Sequence, residues 1–109
     1  MLRELKGTQR LPRILALKLT GTGTAALGQG STDATLVDNG TGDWTLTFNK
    51  PFMRVPVCQV TSLTSATIIQ TVPSKTALQI KAFAVDGTTA KDAVLDISVH
   101  GWDAEDQNY

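Results

Sequence analysis

Between Asp33 and Asp103 the chain repeats one pattern six times: a short run of strand-forming residues, then a cluster of turn residues. The cleanest run is Trp44-Thr45-Leu46-Thr47-Phe48, where Trp44, Leu46 and Phe48 fall on one face and Thr45 and Thr47 on the other. Before it stand Ala34 to Val37 and the loop DNGTGD, whose glycines tolerate positive φ in a hairpin. After it come Val55 to Val60, Ala66 to Val72, Ala77 to Val85 and Val94 to His100. Pro56 cannot donate to a ladder, so its strand belongs at an edge or a bulge. Leu95, Ile97 and Val99 alternate with polar neighbours, and that last run ends at Gly101-Trp102-Asp103. No segment here has a helical period. The spacing predicts an all-β fold, an antiparallel β-sandwich or jelly-roll-like domain over residues 33–103.

The first 32 residues read differently. Pro12 interrupts helical propagation, leaving room for no more than a short helix over residues 2–10, while Leu15, Leu17 and Leu19 alternate as in a strand. Residues 20–32, TGTGTAALGQGST, lack a sustained apolar period and read as a linker. The expectation is an extended N-terminal arm ending in a strand over 1–32, the β domain over 33–103, and an acidic tail over 104–109. Residues 1–20 hold Arg3, Lys6, Arg10, Arg13 and Lys18 against Glu4, so a basic arm precedes an acidic body in a chain of zero net charge. That balance gives no overall field for nucleic acid or a membrane surface. The leucines of the arm are broken up by charges and Pro12, which fits neither a signal peptide nor a membrane span.

Little in the sequence assembles catalytic chemistry. His100 is the one histidine and Cys58 the one cysteine, too few for a standard zinc site or an internal disulfide. Cys58 reads as a small core hydrophobe. Asp38, Asp43, Asp86 and Asp92 lie in loops without calcium-loop spacing and read as turn caps. Glycines 21–30 match neither dinucleotide nor P-loop spacing. The reading is a non-enzymatic module without cofactor, with Trp44 and Trp102 both assigned to the core. Its six aromatics can fill only a modest core, so association is an expected source of stability.

The segment GDWTLTFNKPFMRVPVCQVT and the closing VLDISVHGWDAED resemble a pattern in small structural proteins of tailed bacteriophages. The residues that carry it are Gly42, Trp44, Leu46, Phe48, Pro51, Phe52, Pro56, Val57, Gly101, Trp102 and Asp103. The resemblance implies a trimeric jelly-roll domain of a virion, as in capsid decoration proteins, head fibres and tail-fibre tips. Phe48 and Phe52, either side of Asn49-Lys50-Pro51, let the chain turn while both rings stay available to the core. There is no shaft, collagen-like repeat or heptad ahead of the domain, which suits a capsid decoration (cement) subunit. Leu2, Leu5, Leu11, Ile14 and Leu15 are then expected to bury apolar area on capsid or neighbouring subunits, and Arg3, Lys6, Arg10 and Arg13 to pair with acidic groups there or with an acidic tail from a neighbour. The second expectation is a receptor- or glycan-binding tip of a tail fibre, using the loops around Asn39 to Asp43 and Asp86 to Asp92.

Overall fold

The computed structural model describes residues 10–28, 30 and 32–104. Eight strands follow one another: β1 Arg10–Thr20, β2 Ala26–Leu27, β3 Ala34–Gly40, β4 Asp43–Phe48, β5 Val57–Ser62, β6 Ile68–Pro73, β7 Ala77–Phe83 and β8 Val94–Ala104. They form two antiparallel four-stranded sheets, ordered β2-β1-β8-β5 and β3-β4-β7-β6. The fold is an all-β sandwich.

Period-two patterning explains the core. Leu15, Leu17 and Leu19 of β1 and Leu95, Ile97 and Val99 of β8 point inward from the first sheet. Ala34, Trp44, Leu46, Phe48, Leu78, Ile80 and Ala82 answer from the second. Trp44, Leu46, Leu78, Ile80, Leu95 and Val99 are wholly shielded from solvent. Each such aliphatic side chain contributes about 1.5–3 kcal/mol of gross hydrophobic stabilisation. Six of the strands stand where the alternation predicts them, with ends moved by a few residues. β6 starts two residues later than expected because Ala66 holds a φ of 56°, which ends extended pairing there.

Two expectations need correction. The sandwich begins at Arg10 and not at Asp33, because all eleven residues of β1 pair with β8, from Arg10 opposite Ala104 to Thr20 opposite Val94. Leu15, Leu17 and Leu19 are thus core residues of a central strand, and within the 20–32 stretch Ala26 and Leu27 form β2 against its end. Trp102 is the other. It is 43% exposed, because Gly101 takes the inward position beside it and strand alternation turns the indole out.

Pro12 inside an eleven-residue strand has a local reason. The N–H of Gly28 donates to the carbonyl of Lys18 at 3.0 Å, so the even-numbered residues of β1 direct their backbone groups away from β8. β2 reaches only Leu19 and Thr20, which leaves the imino nitrogen of Pro12 on an open edge.

Candidate functional site

The sequence pattern around Phe48, Phe52 and Gly101 builds one end of the sandwich. The rings of Phe48 and Phe52 meet edge to face, 5.0 Å apart at 89°. Gly101 makes room for Phe52: a Cβ there would overlap the ring at Cδ1 and lie 2.7 Å from Cε1. Opposite Gly101 in the register is Arg13, whose guanidinium carbon lies 3.9 Å from the Phe52 ring centroid. Its Nε stands 3.1 Å from Asp103 Oδ1, and the two side chains are 18% and 13% exposed. These atoms are off hydrogen-bonding alignment, so charge attraction joins them. A second guanidinium nitrogen, Nη2, donates to the Lys50 carbonyl at 2.6 Å, and Lys50 Nζ reaches Asp103 Oδ2 at 3.5 Å. Three distant segments, β1, the 49–53 crossover and β8, are fastened there.

That arrangement sorts the residues expected to meet a partner. Leu2, Arg3, Leu5 and Lys6 lie outside the described residues. Arg10 and Leu11 begin β1, opposite Ala104 and Asp103. Arg13 turns inward and is committed to Asp103, Lys50 and Phe52. Ile14 is 64% exposed.

Around Ile14 the register gathers an apolar surface that strand periodicity alone does not reveal. Ile14, His100 and Val57 stand side by side across β1, β8 and β5, and the next row is Pro12 beside Trp102. Val57 is 66% exposed. Farther along the same face come Ala16, Ser98 and Gln59, then Lys18, Asp96 and Thr61. The outer face of this sheet is apolar towards the start of β1 and charged towards its end. His100 Nε2 lies 2.5 Å from Ser98 Oγ, two residues away on one exposed face. Among the described residues no carboxylate is bonded to that imidazole.

The loop aspartates act within their own loops and on neighbouring ones. Asp38 accepts from the Gly40 N–H and Asp92 from the Gly42 N–H. Asp43 accepts from Asn39 and Gln79. Asp86 accepts from the Thr89 hydroxyl and from the N–H groups of Thr89 and Thr88, which bring its pKa down to about 2. The Asp92–Gly42 bond joins the 39–43 and 86–92 loops at the Trp44 end of the sandwich. Cys58 lies half-buried on β5, and burial raises its thiol pKa to about 11, far from a reactive thiolate.

Comparison with family models, curated proteins and solved structures finds no match for this chain.

Proposed function

We propose that this chain is a non-enzymatic structural subunit of a tailed-phage virion, a capsid decoration protein. It holds to the protein shell through the residues leading into β1 and the sheet face beside them. The sequence resemblance motivates the virion role. The observation that carries the binding surface is the apolar cluster of Ile14, Val57 and Trp102, exposed by 64%, 66% and 43% at the end of the sheet where Arg10 begins β1. Leu2 and Leu5 would extend this apolar contact. Arg3, Lys6 and Arg10 would supply cations for acidic shell groups. Covering ~500 Å² of apolar surface gives roughly 10 kcal/mol gross before ordering costs, ample when repeated around a shell.

The test measures occupancy on preformed shells for the intact protein, a deletion of residues 1–9 and an Ile14→Lys/Val57→Lys/Trp102→Lys variant. The deletion stops short of β1, and the three side chains are outside the core, so circular dichroism should report an intact sandwich. Both changes are expected to lower occupancy severely. Undiminished binding by both would overturn the proposal.

A second reading, a receptor- or glycan-binding tip, is favoured by the convergence of the 39–43 and 86–92 loops through Asp92 and Gly42. In the same preparations a glycan-array signal lost on altering these loops, without shell binding, would select it.

A further inference from the structure

Four connections meet at the Trp44 end of the sandwich: residues 21–25 after β1, 41–42 between β3 and β4, 63–67 between β5 and β6, and 84–93 between β7 and β8. The last of these has two parts. Residues 84–90 close on themselves, since the Ala84 N–H donates to the Thr89 carbonyl at 2.8 Å and the Gly87 N–H to the Ala84 carbonyl at 2.9 Å. Residues 91–93 and Val94, the first residue of β8, reach out to the other three connections. Lys91 Nζ donates to the carbonyls of Ser65 and Ala66 at 2.6 and 3.1 Å. Asp92 Oδ1 accepts from the Gly42 N–H at 2.8 Å, and the Ala93 carbonyl from the Gly21 N–H at 2.9 Å. The Val94 carbonyl accepts from the Leu63 N–H at 2.7 Å, while its own N–H donates to the Thr64 hydroxyl at 3.0 Å. Connections far apart in sequence are thus tied to four consecutive residues.

Lys91 joins two of them by itself. Its N–H donates to the Ala82 carbonyl at 3.0 Å, and Gly42 packs so closely that a Cβ there would stand 2.8 Å from both the nitrogen and the carbonyl oxygen of Lys91. Its side chain meanwhile holds the 63–67 turn at a strained point. Among the described residues Ala66 is the one residue other than glycine at a positive φ, 56°, a conformation that L side chains rarely adopt. The two carbonyls that flank its α-carbon, those of Ser65 and Ala66, accept from the same ammonium. That double, charge-assisted hold fixes the dihedrals of Ala66 from outside the turn.

We propose that residues 91–94 are a keystone through which the loops of the Trp44 end open and close as one unit, and that the Lys91 ammonium is its latch. Withdrawing the ammonium frees Ala66 to leave its positive φ and slackens the 63–67 turn. The same step loosens the backbone at Lys91, on which Gly42 rests, and with it the Asp92 and Ala93 groups that hold Gly42 and Gly21. Lys91 is a positioning residue, acting through Ala66. A partner that seats on any one of these loops then steadies all of them, because they share a single opening. This coupling does not depend on the virion role.

The experiment is amide exchange followed by NMR on the full chain across a low-urea series, which reads each opening separately. The Gly21, Gly42, Leu63, Lys91 and Val94 amides are expected to share one opening free energy and one urea dependence. Those of Phe48, Phe52 and Met53, bonded at the other end of the sandwich, should stand apart from them. Lys91→Met keeps the aliphatic stem and removes the ammonium. It should speed exchange at all five loop amides about tenfold, as for a lost hydrogen bond to a charged group, and move the Ala66 backbone shifts out of the left-handed range, while the three far amides keep their rates. Lys91→Arg, which keeps a cation, should recover most of the protection. If Lys91→Met does not fold, the urea series on the unaltered protein decides. Loop amides that open at separate free energies overturn the proposal, as does a Lys91→Met effect confined to residues 63–67 or equal at the far amides. A Lys91→Arg variant that exchanges as fast as Lys91→Met removes the charge as the latch.

Discussion

At one end of the sandwich the indole of Trp44 lies over Gly21; at the other the ring of Phe52 lies over Gly101. Both ends use a glycine in or just past a strand of the first sheet to admit an aromatic from the rest of the chain, and there the likeness stops. The Trp44 end is sealed by bonds to fixed backbone groups: the Gly21 N–H donates to the Ala93 carbonyl at 2.9 Å, and Gly42, at a φ of 64°, donates its N–H to the Asp92 carboxylate and accepts from the Ala82 N–H. The Phe52 end is sealed by side-chain charge, through Arg13, Asp103 and Lys50. An apolar, backbone-fastened end tolerates no volume change, whereas a charged end depends on every ion keeping its partner.

The largest effect is expected from unbalancing the charged end. Asp103→Leu leaves the Arg13 guanidinium largely buried without its anion and should cost about 3 kcal/mol in urea unfolding. Arg13→Met/Asp103→Leu removes both charges and should recover most of that loss. A single substitution as mild as the double one would mean that water already solvates this end.

Next come the two glycines. At Gly21 a Cβ would overlap the indole and lie 2.6 Å from the Ala93 carbonyl oxygen, which belongs to fixed backbone. At Gly101 the neighbours are the Phe52 ring and Pro56 Cβ at 3.1 Å, side-chain atoms with some freedom to move. Gly21→Ala should therefore cost about 2 kcal/mol or more, and Gly101→Ala about 1 kcal/mol. Equal costs, or the reverse order in thermal unfolding, would dissolve the distinction between the ends.

The smallest effect concerns Asp86, in the loop at the Trp44 end. Its folded pKa of about 2 lies below the ordinary 3.8, chiefly because the Thr89 hydroxyl bonds the carboxylate. The bonding is fully favourable above the ordinary carboxylate range and is lost as pH falls through about 2. Carboxyl-carbon NMR should place the Asp86 midpoint there, and Thr89→Val should raise it. A midpoint that Thr89→Val leaves unmoved would remove the hydroxyl as its main cause.

Six strands were legible because Trp44-Thr45-Leu46-Thr47-Phe48 and its counterparts announce themselves within a few residues. β1 is harder to place, since the strand it pairs with lies 74 to 94 residues away, from Thr20 opposite Val94 to Arg10 opposite Ala104. Arg13 reads as a cation for a partner's acidic groups until Asp103 is brought beside it, and Pro12 reads only as a helix breaker until β1 is seen to run through it on an open edge. Trp102 reads as a core residue until β8 is seen to continue past Gly101; the alternation of Leu95, Ile97 and Val99 then puts Gly101 inward and turns the indole out. The apolar face was legible only in part. Ile14 was singled out from its own segment, but its neighbours Val57 and Trp102 come from strands that the sequence alone does not set next to β1.

The pairing of Arg10 with Ala104 also has a mechanical side. β1 enters and β8 leaves at the same end of the sandwich, so tension applied between these two strand ends loads their ladder one rung at a time, as a zipper is opened. Strands loaded from opposite ends would share the force across the whole ladder. The first rungs to feel this peeling are beside Arg13 and Asp103, which makes that ion pair the catch of the zipper. A subunit held only by the β1 side would pass its load to β1 alone and leave the catch closed.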